Sequence, residues 1–241
     1  MKMQSSVVLL VLVAAASVEC HKFRFGNCKN YSPVSNFEPG RMNGTWYVIR
    51  KVATTSTCMS VIYNNTQDYL EMREIRTPTS VTPFNIILTN IGKLTTKGNN
   101  PAVMNLKWEN VVSNVLKTTY TVVDTDYDNY AIDAECQSLF FARRESATIL
   151  SRTPTMSDAQ IEELLQKLVA QGFDRSSLST VDQSNCFEPQ QVDYNIVVDE
   201  DGVRAGLRDE DDVSIVDITN EQELAEYINK TENEVQQQNG N

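Results

Sequence analysis

The stretch NFEPGRMNGTWY, residues 36–47, is the part of the sequence from which the fold can be argued. It joins the loop pair Pro39-Gly40 to a second glycine, Gly44, and places Trp46 two residues later, where a run of strand-forming residues begins. Glycine permits a tight backbone turn, and an indole at the start of a strand is large enough to fill one end of a closed sheet. We therefore expect Gly44 and Trp46 to be structural residues that close one end of a β-barrel.

Downstream of this stretch, eight short segments rich in Val, Ile, Thr and Tyr are separated by turn residues. Such spacing is typical of an all-β sandwich or barrel, and connections this short require neighbouring strands to be antiparallel. An eight-stranded antiparallel sheet loses its exposed edges by closing on itself, and a barrel of that size can hold one small ligand. The predicted strands are 45–53, 58–64, 69–76, 84–90, 102–108, 116–124, 130–141 and 147–152.

One α-helix is predicted after the eighth strand. Ser157 and Gln160 have the spacing of a capping box, and Gly172 stands where a C-terminal cap belongs. Between them, apolar residues recur at helical spacing and form a single stripe, which predicts a helix packed against the outside of the sheet. The stripe consists of Ile161, Leu164, Leu165, Leu168 and Val169.

The N-terminus has the pattern of a secretory signal peptide. Lys2 precedes an unbroken apolar run from Val7 to Ala16, and small and polar residues follow. The run is shorter than the roughly 20 residues that a membrane-spanning helix needs. We assign residues 1–20 to a signal peptide that is cleaved between positions 16 and 20, and we expect a secreted, extracellular protein without a transmembrane segment.

The cysteines and the sequons both fit an oxidising compartment. Four cysteines remain when Cys20, near the cleavage site, is set aside, and an even number indicates two disulfides, although the spacing leaves three pairings open. Paired short spacings such as C-x-x-C, which would indicate zinc, do not occur in the sequence. The four cysteines are Cys28, Cys58, Cys136 and Cys186, and the predicted N-glycosylation sites are Asn43, Asn64 and Asn229.

Negative charge is concentrated at the C-terminal end. The chain has a net charge of −11, of which residues 187–241 contribute 3 basic and 15 acidic side chains. Neither part has a basic patch for nucleic acid or an anionic membrane. We interpret residues 21–190 as one domain and residues 191–241 as an acidic, disordered extension, since its Asp-rich runs are typical of solvated segments and lack the spacing of an EF-hand.

Three motifs resemble those of the lipocalin family. Residues 36–47 resemble its N-x-F…G-x-W-Y opening motif, and Thr125, Asp126 and Tyr127 resemble its second motif, in the loop between the sixth and seventh strands. Arg152 resembles the third motif, an arginine that packs across the tryptophan of the first strand. The resemblance extends over about Cys28 to Cys186 and is strongest to the group of apolipoprotein D, Lazarillo and insect bilin-binding proteins.

The resemblance implies an eight-stranded up-and-down barrel with one helix outside, and disulfides Cys28–Cys136 and Cys58–Cys186. It also implies a carrier whose partner is a small hydrophobic molecule, such as a fatty acid, steroid, retinoid or bilin, and no cofactor or metal is expected. Candidate wall residues are the aromatic and aliphatic side chains within predicted strands. They are Tyr63, Tyr69, Phe84, Trp108, Tyr120, Tyr130 and Ile132.

Two other functions stay open. An enzyme is disfavoured, because the only histidine is His21, beside the signal peptide, and the body cysteines are expected to form disulfides. Asp133 and Glu135 share one face of a predicted strand, but a solvated sheet surface explains them more simply than catalysis does. The second alternative is an extracellular interaction protein that engages a cell-surface receptor or a basic partner through its acidic tail or outer loops.

Overall fold

The computed structural model describes residues 22–79, 84–109, 118–199, 202–209 and 212–218, the last two ranges by their backbone. The predicted signal peptide and Asn229 lie outside these ranges. The helix is α1 (Asp158–Ala170). The strands are β1 (Lys22–Phe25), β2 (Gly44–Val52), β3 (Thr57–Asn65), β4 (Leu70–Thr77), β5 (Ile86–Lys97), β6 (Asn100–Trp108), β7 (Thr118–Thr125), β8 (Tyr130–Leu139), β9 (Ala142–Ser151), β10 (Leu178–Thr180), β11 (Tyr194–Asp199), β12 (Gly202–Asp209) and β13 (Asp212–Ile218).

Strands β2 to β9 form the predicted eight-stranded antiparallel barrel. Each pairs with the next along the chain, and β9 pairs back with β2, which closes the sheet. Strand β5 runs seven residues beyond its predicted end at residue 90, to Lys97. Gly92 lies inside this extension, and a Cβ there would approach the Leu106 side chain to 2.9 Å and that of Trp108 to 3.1 Å, so the glycine leaves room for these two side chains of β6.

Trp46 closes one end of the barrel, as its position in the sequence predicts. Its side chain is fully buried, and its indole Nε1 donates a hydrogen bond of 2.8 Å to the carbonyl of Met42, in the 3-10 turn Pro39–Met42. The guanidinium of Arg152 lies 3.8 Å from the centre of the indole ring. Gly44 has φ +95°, a left-handed conformation that favours glycine and turns the chain into β2 beneath Arg152.

Arg152 also joins three segments of chain at this end. Its guanidinium donates to the backbone carbonyls of Asn43 and Thr45 at 3.0 and 3.1 Å, and to that of Tyr127 at 3.1 Å. Within the Thr125–Tyr127 motif, Tyr127 stacks on Phe37, 6.1 Å away between ring centres. The three sequence motifs therefore meet in one set of contacts, which fills the end of the barrel at Trp46.

Helix α1 covers the outside of the barrel. Ser157 and Gln160 form the predicted capping box, and Leu164, Leu165 and Leu168 are buried against the outer face of the sheet, whereas Val169 is 47% exposed. Disulfides join Cys28 to Cys136 and Cys58 to Cys186, the pairing that the resemblance implies. Within the described ranges, no helix has the length and apolar character needed to cross a membrane.

The C-terminal extension contains strands, which differs from the disordered segment that its charge predicts. Strand β11 pairs in parallel with residues 86–90 of β5, and β12 and β13 follow as antiparallel neighbours. The acidic runs stand at the strand ends near residues 199–202 and 209–212, and β11 and β13 are rich in the β-branched residues that favour strands. Residues 219–241 lie outside the described ranges.

We expect Arg152→Lys to lower the free energy of unfolding by about 1 to 3 kcal/mol, because a lysine cannot make the forked set of hydrogen bonds that a guanidinium makes. The measurement is denaturant unfolding of the disulfide-intact protein. Arg73→Lys is the matched control, since the Arg73 side chain is 49% exposed, and it should change the free energy by less than about 0.5 kcal/mol. Equal effects of the two substitutions would contradict this role of Arg152.

Candidate ligand-binding site in the barrel lumen

The lumen nearest Trp46 is apolar. The register places Met72 opposite Tyr63, Leu94 opposite Leu106, and Met104 opposite Tyr120, so that alternate residues of each strand share the inner face. All these side chains are buried and belong to one cluster with Trp46. Other members from the barrel strands are Val48, Met59, Val61, Leu70, Ala102, Val122, Ala131 and Leu150.

The lumen faces of β8 and β9 become polar toward the opposite end. Ala131 and Leu150 pair in register and belong to the apolar cluster, which identifies this face as the inner one. Continuing along the same face, Asp133 pairs with Thr148, Glu135 with Ser146, and Gln137 with Arg144. Asp133 and Glu135 are each only 4% exposed. The interpretation of these two carboxylates as a solvated surface is therefore wrong.

A buried ion pair crosses the polar part of the lumen. Lys51 Nζ of β2 lies 2.8 Å from Glu74 Oε2 of β4, and both side chains are less than 10% exposed. Burial alone would raise the pKa of Glu74, but the positive charges of Lys51 and Arg76 outweigh it and lower that pKa. Glu74 is therefore a carboxylate whose charge is compensated.

Asp133 lacks such compensation. Burial first, and then the negative charge of Glu135, raise the pKa of Asp133 to about 7, against a weaker opposing effect of Lys51. Its carboxyl group forms side-chain hydrogen bonds with Thr148 and Tyr120. Burial likewise raises the pKa of Glu135, although Lys51 opposes it. Both acids of β8 thus keep their protons to a higher pH than an exposed carboxyl group does.

Two tyrosine hydroxyls lie beside Asp133. The hydroxyl oxygens of Tyr63 and Tyr120 are 2.7 Å apart, and either group can donate to the other. When Asp133 is ionised it can only accept, so Tyr120 donates to the carboxylate and Tyr63 donates to Tyr120. Burial raises the pKa of both hydroxyls well above the ordinary value, so both keep their protons.

The candidate wall residues fall into two groups. Tyr63 and Tyr120 face the lumen, and Trp108 packs half-buried against the same cluster. The other four lie elsewhere: Tyr69 under the amino group of Lys93, Phe84 edge-on to Tyr194 of β11, Tyr130 beside Lys167 of α1, and Ile132 in the cluster beneath α1.

The misplaced residues on β8 have one physical cause. Side chains alternate between the two faces of a strand, and the face that carries Ile132, Ala134 and Cys136 packs beneath α1. The opposite face, with Asp133 and Glu135, must then look into the barrel. Ile132 is predicted to line the lumen only because it is apolar. Cys136 lies on the same face as Ile132 and is bonded to Cys28 outside the barrel, which shows that this face is the outer one.

The other residues predicted from motifs either hold a loop in place or lie on the protein surface. Asp126 Oδ1 accepts backbone hydrogen bonds from Asp128, Asn129 and Tyr130, and these bonds outweigh partial burial and lower its pKa. Asn43 and Asn64 are exposed, and Asn43 Oδ1 accepts a hydrogen bond of 2.7 Å from the Asn65 amide. Their glycosylation stays a prediction.

A second concave region lies outside the barrel, between the segment 27–33 and the outer faces of β6 to β8. It encloses about 730 Å³, and asparagines, lysines and threonines supply many of its walls. Tyr31 is its buried aromatic residue, and the hydroxyl of Tyr31 already donates to Glu145 at 3.0 Å. The lumen, with its buried charges above an apolar floor, is the better candidate for a specific site.

The pKa of Asp133 predicts a stability that falls as the pH rises. A carboxyl whose pKa is higher in the folded than in the unfolded state binds more protons when folded, so ionisation above pH 4 progressively destabilises the folded state. Replacing it with Asn removes this effect, and the advantage of Asp133→Asn over the wild type should grow by on the order of 2 to 3 kcal/mol between pH 5 and pH 8.

Urea unfolding of the ligand-free proteins at the two pH values measures this difference. Glu163→Gln is the control, because Glu163 lies on the exposed face of α1 with 68% of its side chain accessible, and it should follow the wild type at both pH values. An advantage of Asp133→Asn that is the same at pH 5 and pH 8 would show that Asp133 is ionised throughout.

Comparison with known proteins agrees with this architecture. A family model described as a lipocalin-like domain matches residues 37–183. Apolipoprotein D of Macaca fascicularis is 27% identical over 201 residues, which cover 76% of this chain and 98% of that protein. Apolipoprotein D of Cavia porcellus is 25% identical over 189 residues, covering 75% and 96%.

Solved structures show the same fold. Insecticyanin from the tobacco hornworm Manduca sexta superposes with a TM-score of 0.55 at 19% identity, covering 73% of this chain and 96% of its own. Apocrustacyanin C1 gives a TM-score of 0.57 at 18% identity, covering 70% and 96%. The family model spans more than half of the chain and includes the Trp46 and Arg152 contact. The chain belongs to the lipocalin family.

Proposed function

We propose that this protein is a secreted carrier that holds one small, largely hydrophobic molecule in the barrel lumen. The observation that carries the proposal is the division of the lumen into an apolar floor around Trp46 and a buried polar region formed by β8 and β9. An apolar molecule with one polar end matches that division. The two disulfides support an oxidising, extracellular destination.

The apolar floor would supply most of the affinity. A ligand that buries about 300 Å² of apolar surface gains on the order of 7 kcal/mol before the costs of association are subtracted. The polar region would contribute orientation, since a few placed polar groups are what give a largely apolar site its specificity. The ligand is expected to leave chemically unchanged, which separates a carrier from an enzyme.

We expect the protein purified gently from its native source to contain one hydrophobic compound in near-stoichiometric amount. Solvent extraction followed by mass spectrometry identifies the compound, and reincubation of the purified protein with it should return it unmodified. Repeated recovery of empty protein would contradict carriage, and conversion of the compound would indicate an enzyme.

A matched pair of variants places the ligand in the lumen. Met104 is 1% exposed within the apolar floor, and Leu165 is 5% exposed on the face of α1 that packs against the outside of the barrel. Both Met104→Gln and Leu165→Gln bury a new amide and should lower the free energy of unfolding. Only Met104→Gln should weaken binding of the extracted compound, because it replaces an apolar contact with the ligand by a polar amide. We expect a loss of about tenfold in affinity, which corresponds to roughly 1.4 kcal/mol of binding free energy. Equal weakening by both would place binding elsewhere.

The C-terminal extension provides a test against the interaction-protein alternative. A chain that ends after Asp199 keeps β11, which pairs with residues 86–90 of β5, and loses most of the acidic side chains. We expect this truncated chain to bind the extracted compound with unchanged affinity, measured by titration calorimetry. A large loss would show that the extension takes part in binding the compound, whereas a protein that acts through its tail should lose its macromolecular partner on truncation.

A further inference from the structure

The second half of the lumen contains polar atoms that the fold itself does not use. Asp133 Oδ1 and Ser146 Oγ are both buried, and neither has a hydrogen-bond partner within the described part of the chain. Buried polar groups are nearly always bonded, so each exception calls for an explanation. Ser146 is 1% exposed and pairs in register with Glu135, so both atoms belong to the same inner face.

These atoms lie at the boundary between the apolar floor and the polar region. Asp133 stands opposite Val122 of β7 on one side and opposite Thr148 of β9 on the other, and Val122 belongs to the apolar cluster. A molecule whose apolar body occupies the floor would therefore present its polar end to Asp133. The preceding residue on this face is Ala131, whose small side chain leaves Asp133 as the first polar group above the floor.

Resting on the proposed function, we propose that Asp133, with Glu135 and Ser146, forms a subsite for the protonated amine at the polar end of the carried molecule. An ammonium group donates three hydrogen bonds and accepts none. It can donate to the unbonded oxygen of Asp133 and to the hydroxyl of Ser146, while its charge balances a carboxylate that has no ion-pair partner among the residues that the structure describes.

The charges around Asp133 favour a cation over an anion. The groups that act on Asp133 are Glu135 on β8, Tyr120 on β7, Lys51 on β2, Thr148 on β9 and Tyr63 on β3. Glu135 is influenced in addition by Glu74 on β4 and Arg144 on β9. Lys51 is the cation that acts on Asp133 itself, and it is already paired with Glu74 at 2.8 Å. Burial first, and then the negative charge of Glu135, raise the pKa of Asp133 to about 7, and a cation bound beside the carboxylate would oppose both effects.

A carboxylate is the competing polar end, because the lumen also contains arginines. Arg76 and Arg144 each have a buried Nε without a hydrogen bond, although both residues have other partners. Arg144 lies away from the apolar floor, since it pairs with Gln137, four residues beyond Asp133 on β8, and Arg76 Nη1 donates to Ser56 Oγ. A ligand with an anionic end and its apolar body in the apolar floor would have to place its negative charge beside the carboxyl groups of Asp133 and Glu135.

The test compares three probes that differ only at the polar end: 1-octylamine, 1-octanol and octanoate. Titration calorimetry on the full-length, disulfide-intact protein at pH 8 should give an affinity for the amine at least tenfold above that for octanoate. Because Asp133 titrates near pH 7 and the amine stays protonated, lowering the pH to 6 should weaken amine binding by about tenfold and leave octanol binding unchanged.

Three variants locate the effect. Asp133→Asn should weaken amine binding at least tenfold and abolish its pH dependence, while octanol affinity stays within about twofold, and Ser146→Ala should weaken amine binding by a smaller factor. Glu163→Gln, on the outer face of α1, should bind all three probes as the wild type does. The comparison of probes on the wild type remains decisive if a lumen variant fails to fold.

Two results would overturn the proposal and are distinct from failure of the carrier function. Octanoate binding as tightly as the amine, or amine binding unchanged in Asp133→Asn, would reject the amine subsite while leaving a lumen that binds apolar molecules. Absence of binding by all three probes, together with empty protein from the native source, would reject carriage itself.

Discussion

The contact between Arg152 and Trp46 is the constraint on which the barrel depends. An antiparallel sheet of eight strands closes sideways through backbone hydrogen bonds, but its ends stay open unless side chains fill them. Here the indole fills one end, and a single guanidinium fixes it by donating to carbonyls from two separate parts of the chain. Because that end is filled by apolar and aromatic groups, a ligand and solvent must enter from the other, where the inner faces carry charge.

Much of this architecture follows from local pattern. The glycine and tryptophan of residues 36–47, the eight alternating segments and the capped helix each obey a rule that needs only a few neighbouring residues. The residues that line the lumen cannot be predicted in this way. They depend on which face of each strand points inward, and a shift of one residue in the register turns every side chain to the opposite face. On β8 the needed information was present in two distant features, the position of Cys136 and the apolar stripe of α1. Both require Ile132 and Ala134 to face outward, and therefore Asp133 and Glu135 to face inward.

Those two acids are costly for the folded state, since burial disfavours their ionised forms more than the nearby cations favour them. The lumen could have satisfied its packing with residues such as the Ala131 and Leu150 pair next to them. A chain that instead retains a carboxylate with an unbonded oxygen keeps a site whose energy improves when something donates to it. Local strain and unsatisfied polarity of this kind are concentrated where proteins bind or react, so the proposed amine subsite would place recognition on the same atoms that destabilise the fold.

The short strands outside the barrel explain how such a mouth can exist without exposed sheet edges. Where barrel strands diverge, their backbone groups lose their neighbours and become sites for unwanted pairing. Strand β1 pairs with residues 142–145 of β9, β10 with residues 50–52 of β2, and β11 with residues 86–90 of β5. All three pairings lie at the end opposite Trp46. In each, the short strand bonds to a segment whose neighbouring barrel strand does not extend far enough to pair with it. At this end of the barrel, strands from both ends of the described chain therefore supply the backbone hydrogen bonds that the adjoining barrel strand does not.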